Sequence, residues 1–145
     1  MTGQLPQFSL VPTPLDKVIQ ESNSHGSTVL LMIETKDSIA NINEIAEVEG
    51  VDVLLVGSND LSIELGVAAK FESDIFKSAL TAVSEACKYH KKVFGLAGIY
   101  DKLDYQRWAV NNLGVRFILG GQDSGVLTSG TKQCMAALMS IESLE

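Results

Sequence analysis

Short apolar runs alternate with longer amphipathic stretches, and this alternation limits the possible folds more than any other feature of the chain. Each run holds four or five mostly apolar residues and is bounded by glycine or by charged residues. Runs that lack polar alternation are typical of parallel strands that are covered on both faces. Such strands are predicted at Val29–Ile33, Val53–Val56, Val93–Leu96 and Val115–Leu119.

The stretches around these runs carry apolar residues at helical spacing. The first predicted helix has Thr13 as its N-cap and Pro14 as its first residue. Helices are predicted at 14–24, 37–48, 74–90, 101–112, with Asp101 as N-cap, and 129–143. This order predicts an α/β fold in which one helix precedes four consecutive parallel βα units. We expect a single domain over 1–145, an irregular segment over 1–12, and only a short helical turn between Asp60 and Phe71.

Composition and charge exclude several classes of function. Apolar residues make up 46% of the chain and charged residues 20%, which is typical of a globular protein. The net charge of −7 disfavours nucleic acid and membrane partners, because both require clustered basic residues. The sequence predicts no run of membrane-spanning length, and residues 1–15 predict no signal peptide. Cys87 and Cys134 are predicted to be buried, reduced thiols, which favours a cytoplasmic setting.

One carboxylate follows each of the first two predicted strands. Glu34 ends the first strand, and Asp60 follows the second strand within Gly57-Ser58-Asn59-Asp60. Because the carboxyl ends of neighbouring parallel strands share one edge, the two carboxylates could converge on Mg²⁺ or Mn²⁺. The alternatives are that Asp60 caps a helix and that Glu34 is a solvated acid beside a loop.

These motifs also carry a family resemblance. The stretch 31–66 contains Ile-Glu-Thr at 33–35, Val-Glu-Gly-Val-Asp at 48–52 and Gly-Ser-Asn-Asp-Leu-Ser at 57–62. It resembles the HpcH/HpaI aldolase family, which includes macrophomate synthase and is related to the citrate lyase β-subunit. The resemblance implies the C-terminal half of a TIM-type (β/α)₈ barrel. Residues 71–145 resemble the family more loosely, and Asp123 lies where the family tends to carry an Asp.

The resemblance further implies an activity and its site residues. Glu34 and Asp60 would be the metal ligands, and Gly57, Ser58 and Asn59 would bind the carboxylate of a 2-keto acid. The implied enzyme is a divalent-metal-dependent carbon–carbon lyase that acts on pyruvate or oxaloacetate through a metal-stabilised enolate. One departure is Ser58, which occupies the position of a proline in the family pattern.

The groups that transfer protons in the family have no counterpart here. The family's catalytic His and Arg lie on early strands of the barrel, and we assign no catalytic residue in this chain. His25, His90, Arg107 and Arg116 do not follow the end of any predicted strand. An alternative is therefore a truncated, catalytically impaired homologue that serves as a binding or assembly module. A nucleotide-binding domain is less favoured, because no strand precedes a G-x-G-x-x-G turn.

Half of a barrel would leave two sheet edges and an apolar inner face uncovered. The predicted outer strands, Val29–Ile33 and Val115–Leu119, lack the Pro and spaced Lys residues that protect natural edges. We therefore expect association, either as a homo-oligomer of facing half-barrels or with a partner half-barrel.

Overall fold

The computed structural model describes residues 14–100 and 102–142, including the side chains of all of these except 25, 26 and 142. The predicted irregular segment 1–12 and the predicted N-caps Thr13 and Asp101 lie outside the described residues. The strands are β1 (Leu30–Ile33), β2 (Val53–Gly57), β3 (Val93–Ala97) and β4 (Phe117–Ile118). The helices are α1 (Leu15–Glu21), α2 (Lys36–Ala40), α3 (Ile42–Glu47), α4 (Ser58–Glu64), α5 (Asp74–His90), α6 (Leu103–Trp108) and α7 (Asp123–Glu142). Single π-helical turns, Ser22–Gly26 and Ala109–Leu113, extend α1 and α6.

The four strands form one parallel sheet in the order β1-β2-β3-β4, which confirms the predicted α/β architecture. Ile33 is level with Val56, and Gly57 is level with Ala97, so the first three strands end at the same edge. The last strand is shorter than predicted. The N–H of Val115 donates to the carbonyl of Ala109 in the preceding π-turn, so it is not available to the sheet.

The hydrophobic core lies between the sheet and the helices that cover one of its faces. Every residue of β2 is buried, and Leu54 and Val56 point into this core. Helix α5 packs Phe76, Leu80 and Val83 against them, as its apolar stripe predicted. The core therefore fixes β2, whose carboxyl end leads directly into α4.

The helix predicted over 37–48 is divided into α2 and α3. Asn41 has φ −103° and ψ 20°, and its Nδ2 donates to the carbonyl of Asp37 at 2.9 Å. The backbone N–H of Asn41 donates to the same carbonyl at 3.0 Å, so the side-chain hydrogen bond adds to the helical bond at this C-cap. The apolar spacing alone did not reveal the break.

The last helix differs most from its prediction. Helix α7 begins at Asp123 instead of Ser129, and each of its described side chains is exposed. The prediction that Cys134 is buried is therefore wrong, whereas Cys87 is buried as predicted. Leu127, Leu138 and Met139 are apolar and exposed, since α7 does not fold back onto the sheet.

Within the described residues, we find no helix with both the length and the apolar character needed to cross a membrane.

Candidate metal and substrate site

Glu34 lies at the carboxyl end of β1 and reaches across to β2. Its side chain is half-buried. A Cβ atom placed on Gly57 would lie 2.8 Å from Glu34 Cγ and 3.0 Å from Cδ, and would also overlap Oε1. The missing side chain of Gly57 therefore provides the space that the Glu34 carboxylate occupies.

The chain that follows Glu34 is held by a capping box. Thr35 Oγ1 accepts from the N–H of Ser38 at 3.1 Å, and Ser38 Oγ accepts from the N–H of Thr35 at 3.2 Å. This reciprocal pair starts α2 immediately after the strand. It fixes the backbone direction next to Glu34, and thereby limits the positions that the carboxylate can reach.

Asp60 lies in the first turn of α4, one strand away from Glu34. Its side chain is exposed. Gly57 is the N-cap of α4, so Asp60 is the third helical residue and not the cap that one alternative reading supposed. A carboxylate in the first turn is stabilised by the helix dipole whether or not it binds a metal. Asp60 and Glu34 thus both lie at the carboxyl edge of the sheet, as the sequence predicted.

The three residues before Asp60 differ in their surroundings. Ser58 is fully buried, and its Oγ has no hydrogen-bond partner among the described residues. Asn59 is exposed, and a Cβ atom on Gly98 would lie 3.1 Å from its Nδ2. Ser62 Oγ donates to the carbonyl of Asn59 at 2.7 Å and accepts from the N–H of Ala69 at 3.0 Å. These contacts hold the first turn of α4 in place.

Two features of this edge were missed by sequence reasoning. Gly98 has φ +89° and lies directly after β3, where it contacts the residues that begin α4. In the sequence, the pair Ala97-Gly98 directly after the apolar run could have indicated this turn. The second feature is an open depression of about 860 Å³ beside β3 and β4, lined by Tyr100, Gly120, Gly121 and residues of α7. Neither Glu34 nor Asp60 lines it.

The remaining candidates lie elsewhere or have structural partners. Arg107 pairs with Asp104 at 2.7 Å, and Arg116 donates to the carbonyls of Val110 and Val115 before β4 begins. His90 ends α5 at the opposite edge of the sheet. Asp123 begins α7, where its Oδ1 accepts from the N–H of Ser124 at 2.7 Å. None of these side chains therefore joins Glu34 and Asp60.

The site can supply oxygen donors and unpaired N–H groups. The described residues contain no group of three or more His, Cys, Asp and Glu side chains placed to hold a metal ion. Two carboxylates are nevertheless a usual protein contribution to a Mg²⁺ site, where water and substrate provide the other ligands. The first N–H groups of α4 have no partner within the helix and can donate hydrogen bonds to the oxygen atoms of an anion.

Comparisons with known proteins place this arrangement in context. Residues 14–128 match the family profile described as HpcH/HpaI aldolase/citrate lyase. The chain is 49% identical over 142 residues to the 4-hydroxy-4-methyl-2-oxoglutarate aldolase tasA of Hapsidospora irregularis, and 44% identical to cghB of Chaetomium globosum, of the same description. Each match covers 98% of this chain and 53% of the relative.

The solved structures agree with these matches. An HpcH/HpaI aldolase from Desulfitobacterium hafniense DCB-2 superimposes with a TM-score of 0.73 at 25% identity. The superposition covers 93% of this chain and 50% of that protein. The chain thus spans about half the length of the relatives that it matches.

Proposed function

The chain belongs to the HpcH/HpaI aldolase/citrate lyase family, and we propose that it provides the metal-binding half of a carbon–carbon lyase for 2-keto acids. The observation that carries this proposal is the placement of Glu34 against Gly57, with Asp60 in the first turn of α4, directly after the neighbouring strand β2. The substrate class is a small 2-keto acid such as pyruvate or oxaloacetate. The names of the two similar fungal aldolases support this class, because 2-oxoglutarate derivatives are 2-keto acids.

The residues at this edge fit a divalent cation. Carboxylate oxygens are the donors that Mg²⁺ and Mn²⁺ prefer, and neither Cys nor His lies beside Glu34 and Asp60 in the sequence. Glu34 and Asp60 would hold the ion. When bound, the ion would supply Lewis acidity to the keto oxygen of the substrate.

The chain's own backbone would orient the substrate. Gly57 precedes α4, and the N–H groups of Ser58 and Asn59 belong to its first turn. These N–H groups point away from the helix and would bind the substrate carboxylate. Ser58 would act through its backbone, because its hydroxyl is buried. Among Gly57, Ser58 and Asn59, it is Asn59 whose exposed side-chain amide would contact the substrate directly.

A second candidate function is a catalytically impaired binding or assembly module. It is favoured by the engagement of Arg107 and Arg116 with other partners, and by the position of His90 at the opposite edge. A positioned general base typically contributes about 10²–10⁴-fold to the rate. The chain alone should therefore retain substrate binding but cleave aldol substrates slowly.

Cleavage and binding assays distinguish the two candidates. We propose to measure pyruvate release from 4-hydroxy-4-methyl-2-oxoglutarate by the purified chain with Mn²⁺, and pyruvate binding by calorimetry with and without Mn²⁺. Metal-dependent binding with slow cleavage is expected. Rapid cleavage that is lost in Glu34→Gln would reject the second candidate, and an absence of metal-dependent pyruvate binding would reject the first.

We also propose a cytoplasmic setting. It is supported by Cys134, whose thiol is free although it is exposed, because free thiols persist in a reducing compartment.

A further inference from the structure

Gly98, directly after β3, packs against the first turn of α4. It has φ +89°, in the left-handed region that strains other residues. A Cβ atom on Gly98 would lie 3.1 Å from Asn59 Nδ2, 3.4 Å from Asn59 N and 3.5 Å from Ser58 Cβ. The missing side chain therefore leaves room for the Asn59 amide, as the missing side chain of Gly57 does for the Glu34 carboxylate.

The backbone on either side of Gly98 is fixed. Ala97 is level with Gly57 in the sheet. Ile99 is buried in the core, and its carbonyl accepts from Gln106 Nε2 at 2.6 Å. Gly98 therefore cannot move away from α4 without disturbing the sheet or the core.

The backbone of α4 is also held at this point, whereas the Asn59 side chain is not. Ser62 Oγ donates to the carbonyl of Asn59 at 2.7 Å and accepts from the N–H of Ala69 at 3.0 Å. The Asn59 side chain is exposed, and no hydrogen bond within the described part of the chain uses its amide. Only the contact with Nδ2 would be closer than an ordinary van der Waals contact. A methyl group on Gly98 would therefore displace the amide and leave the helix in place.

This geometry separates the Asn59 amide from the two carboxylates. Asp60 lies on the same turn of α4, but none of its atoms is among the three nearest to a Cβ on Gly98. Glu34 follows β1, and β2 lies between β1 and β3. A change at Gly98 should therefore affect a ligand that contacts Asn59 without altering the proposed metal ligands.

We propose that Gly98 is a positioning residue, which holds the Asn59 amide over the end of β3 so that Nδ2 donates a hydrogen bond to the carboxylate of the bound 2-keto acid. The identity of this ligand rests on the proposed function, whereas the placement of the amide concerns the chain alone. Affinity for the keto acid thus depends on Gly98, and affinity for the metal ion does not.

The positive φ of Gly98 by itself favours glycine, so a control for backbone strain is needed. Gly50 provides it, because it has φ +83° and nothing lies within 4 Å of its Cβ position. It precedes β2, at the amino edge of the sheet. Gly98→Ala and Gly50→Ala should therefore lower the melting temperature by similar amounts. Only Gly98→Ala should change the position of the Asn59 amide.

Nuclear magnetic resonance of the full chain tests this placement without metal or substrate. The side-chain amide signals of Asn59, identified by their loss in Asn59→Ala, should shift in Gly98→Ala and stay unchanged in Gly50→Ala. Unshifted Asn59 signals in Gly98→Ala, or an equal shift in Gly50→Ala, would overturn the proposed placement.

Calorimetric titration with pyruvate at saturating Mn²⁺ tests the role in binding. Gly98→Ala should lower the affinity for pyruvate about tenfold, which corresponds to the loss of one hydrogen bond to a charged group. Its affinity for Mn²⁺ should not change. Asn59→Ala alters an exposed side chain and should show the same split, so the measurement does not depend on how stably Gly98→Ala folds.

The double variant of Gly98→Ala and Asn59→Ala tests whether the two residues act together. Its loss of pyruvate affinity should equal that of Asn59→Ala alone, because the displaced amide is already absent. Fully additive losses would show that Gly98 acts independently of Asn59, and would contradict the proposal.

The same titrations separate this inference from the proposed function. If the unchanged chain binds no pyruvate in the presence of Mn²⁺, the proposed function fails together with the role in binding, while the Asn59 signals still decide the placement. Equal pyruvate affinity in the unchanged chain, Gly98→Ala and Asn59→Ala would contradict this inference alone.

Discussion

The Glu34 carboxylate fills the space that a side chain on Gly57 would occupy, so a single missing Cβ couples the ends of β1 and β2. A glycine at a strand end often marks a close approach of another group. Here that group is a carboxylate at the edge where barrel enzymes place their chemistry. The pair therefore connects a local sequence choice with the proposed metal site.

Replacement of Gly57 by alanine tests this coupling. Gly57→Ala should displace the Glu34 side chain and lower Mn²⁺ affinity by about 10–100-fold, which is the usual effect of disturbing a ligand's support. Gly125→Ala is the control, because nothing lies within 4 Å of the added methyl group. Calorimetric titration of both variants measures the difference, and unchanged affinity in Gly57→Ala would mean that Glu34 does not need this position.

A second prediction concerns the buried link between α5 and the π-turn after α6. Ser84 Oγ donates to the carbonyl of Leu113, and both residues are buried. Ser84→Ala leaves that carbonyl without this donor and should lower the free energy of unfolding by about 1–3 kcal/mol. Thr81→Ala removes an exposed hydroxyl of the same helix and should change stability by less than about 0.5 kcal/mol. Urea denaturation of the two variants checks the contrast.

The buried thiol of Cys87 predicts a loss of stability at high pH. Burial raises its pKa from 9.0 to about 11. Between these values the unfolded chain releases the thiol proton while the folded chain retains it, so the unfolding free energy falls as pH rises. The full loss is roughly 3 kcal/mol for a shift of this size.

Comparison with Cys87→Ala isolates the contribution of the thiol. Tyr105, whose phenolic pKa is also raised by burial and by Glu72, adds a loss of the same sign above pH 10 in both proteins. The decrease between pH 9 and pH 11 should therefore be smaller in the variant. Parallel pH profiles for the two proteins would indicate that Cys87 becomes accessible before the chain unfolds.

Much of the sheet could be predicted, because its strands are buried on one face by helices and bear apolar residues on both. Val53–Gly57 and Val93–Ala97 were anticipated within a residue at their ends. The position of Glu34 and Asp60 at one edge of the sheet could be predicted from the parallel order of the strands alone. The apolar pattern predicts these elements correctly because burial determines their structure, and buried residues are apolar.

The predictions from hydrophobic spacing were wrong where other interactions determine the local structure. Asn41 interrupts a continuous apolar stripe because its backbone has φ −103° and ψ 20°, a local change that hydrophobic spacing does not reveal. The apolar residues of helix α7 were read as evidence of packing within the chain. In the structure, however, α7 covers no part of the described sheet. Gly98 was missed because its role depends on Asn59, a residue distant in sequence.

Electron paramagnetic resonance of Mn²⁺ tests the central claim most directly, because it reports bound ion without requiring catalysis. The chain should bind Mn²⁺, and Glu34→Gln and Asp60→Asn should each abolish the bound fraction under the same conditions. Glu64→Gln, at the far end of α4, should bind as the unchanged chain does. Retention of the bound signal in both Glu34→Gln and Asp60→Asn, or its equal loss in Glu64→Gln, would contradict the proposed metal site.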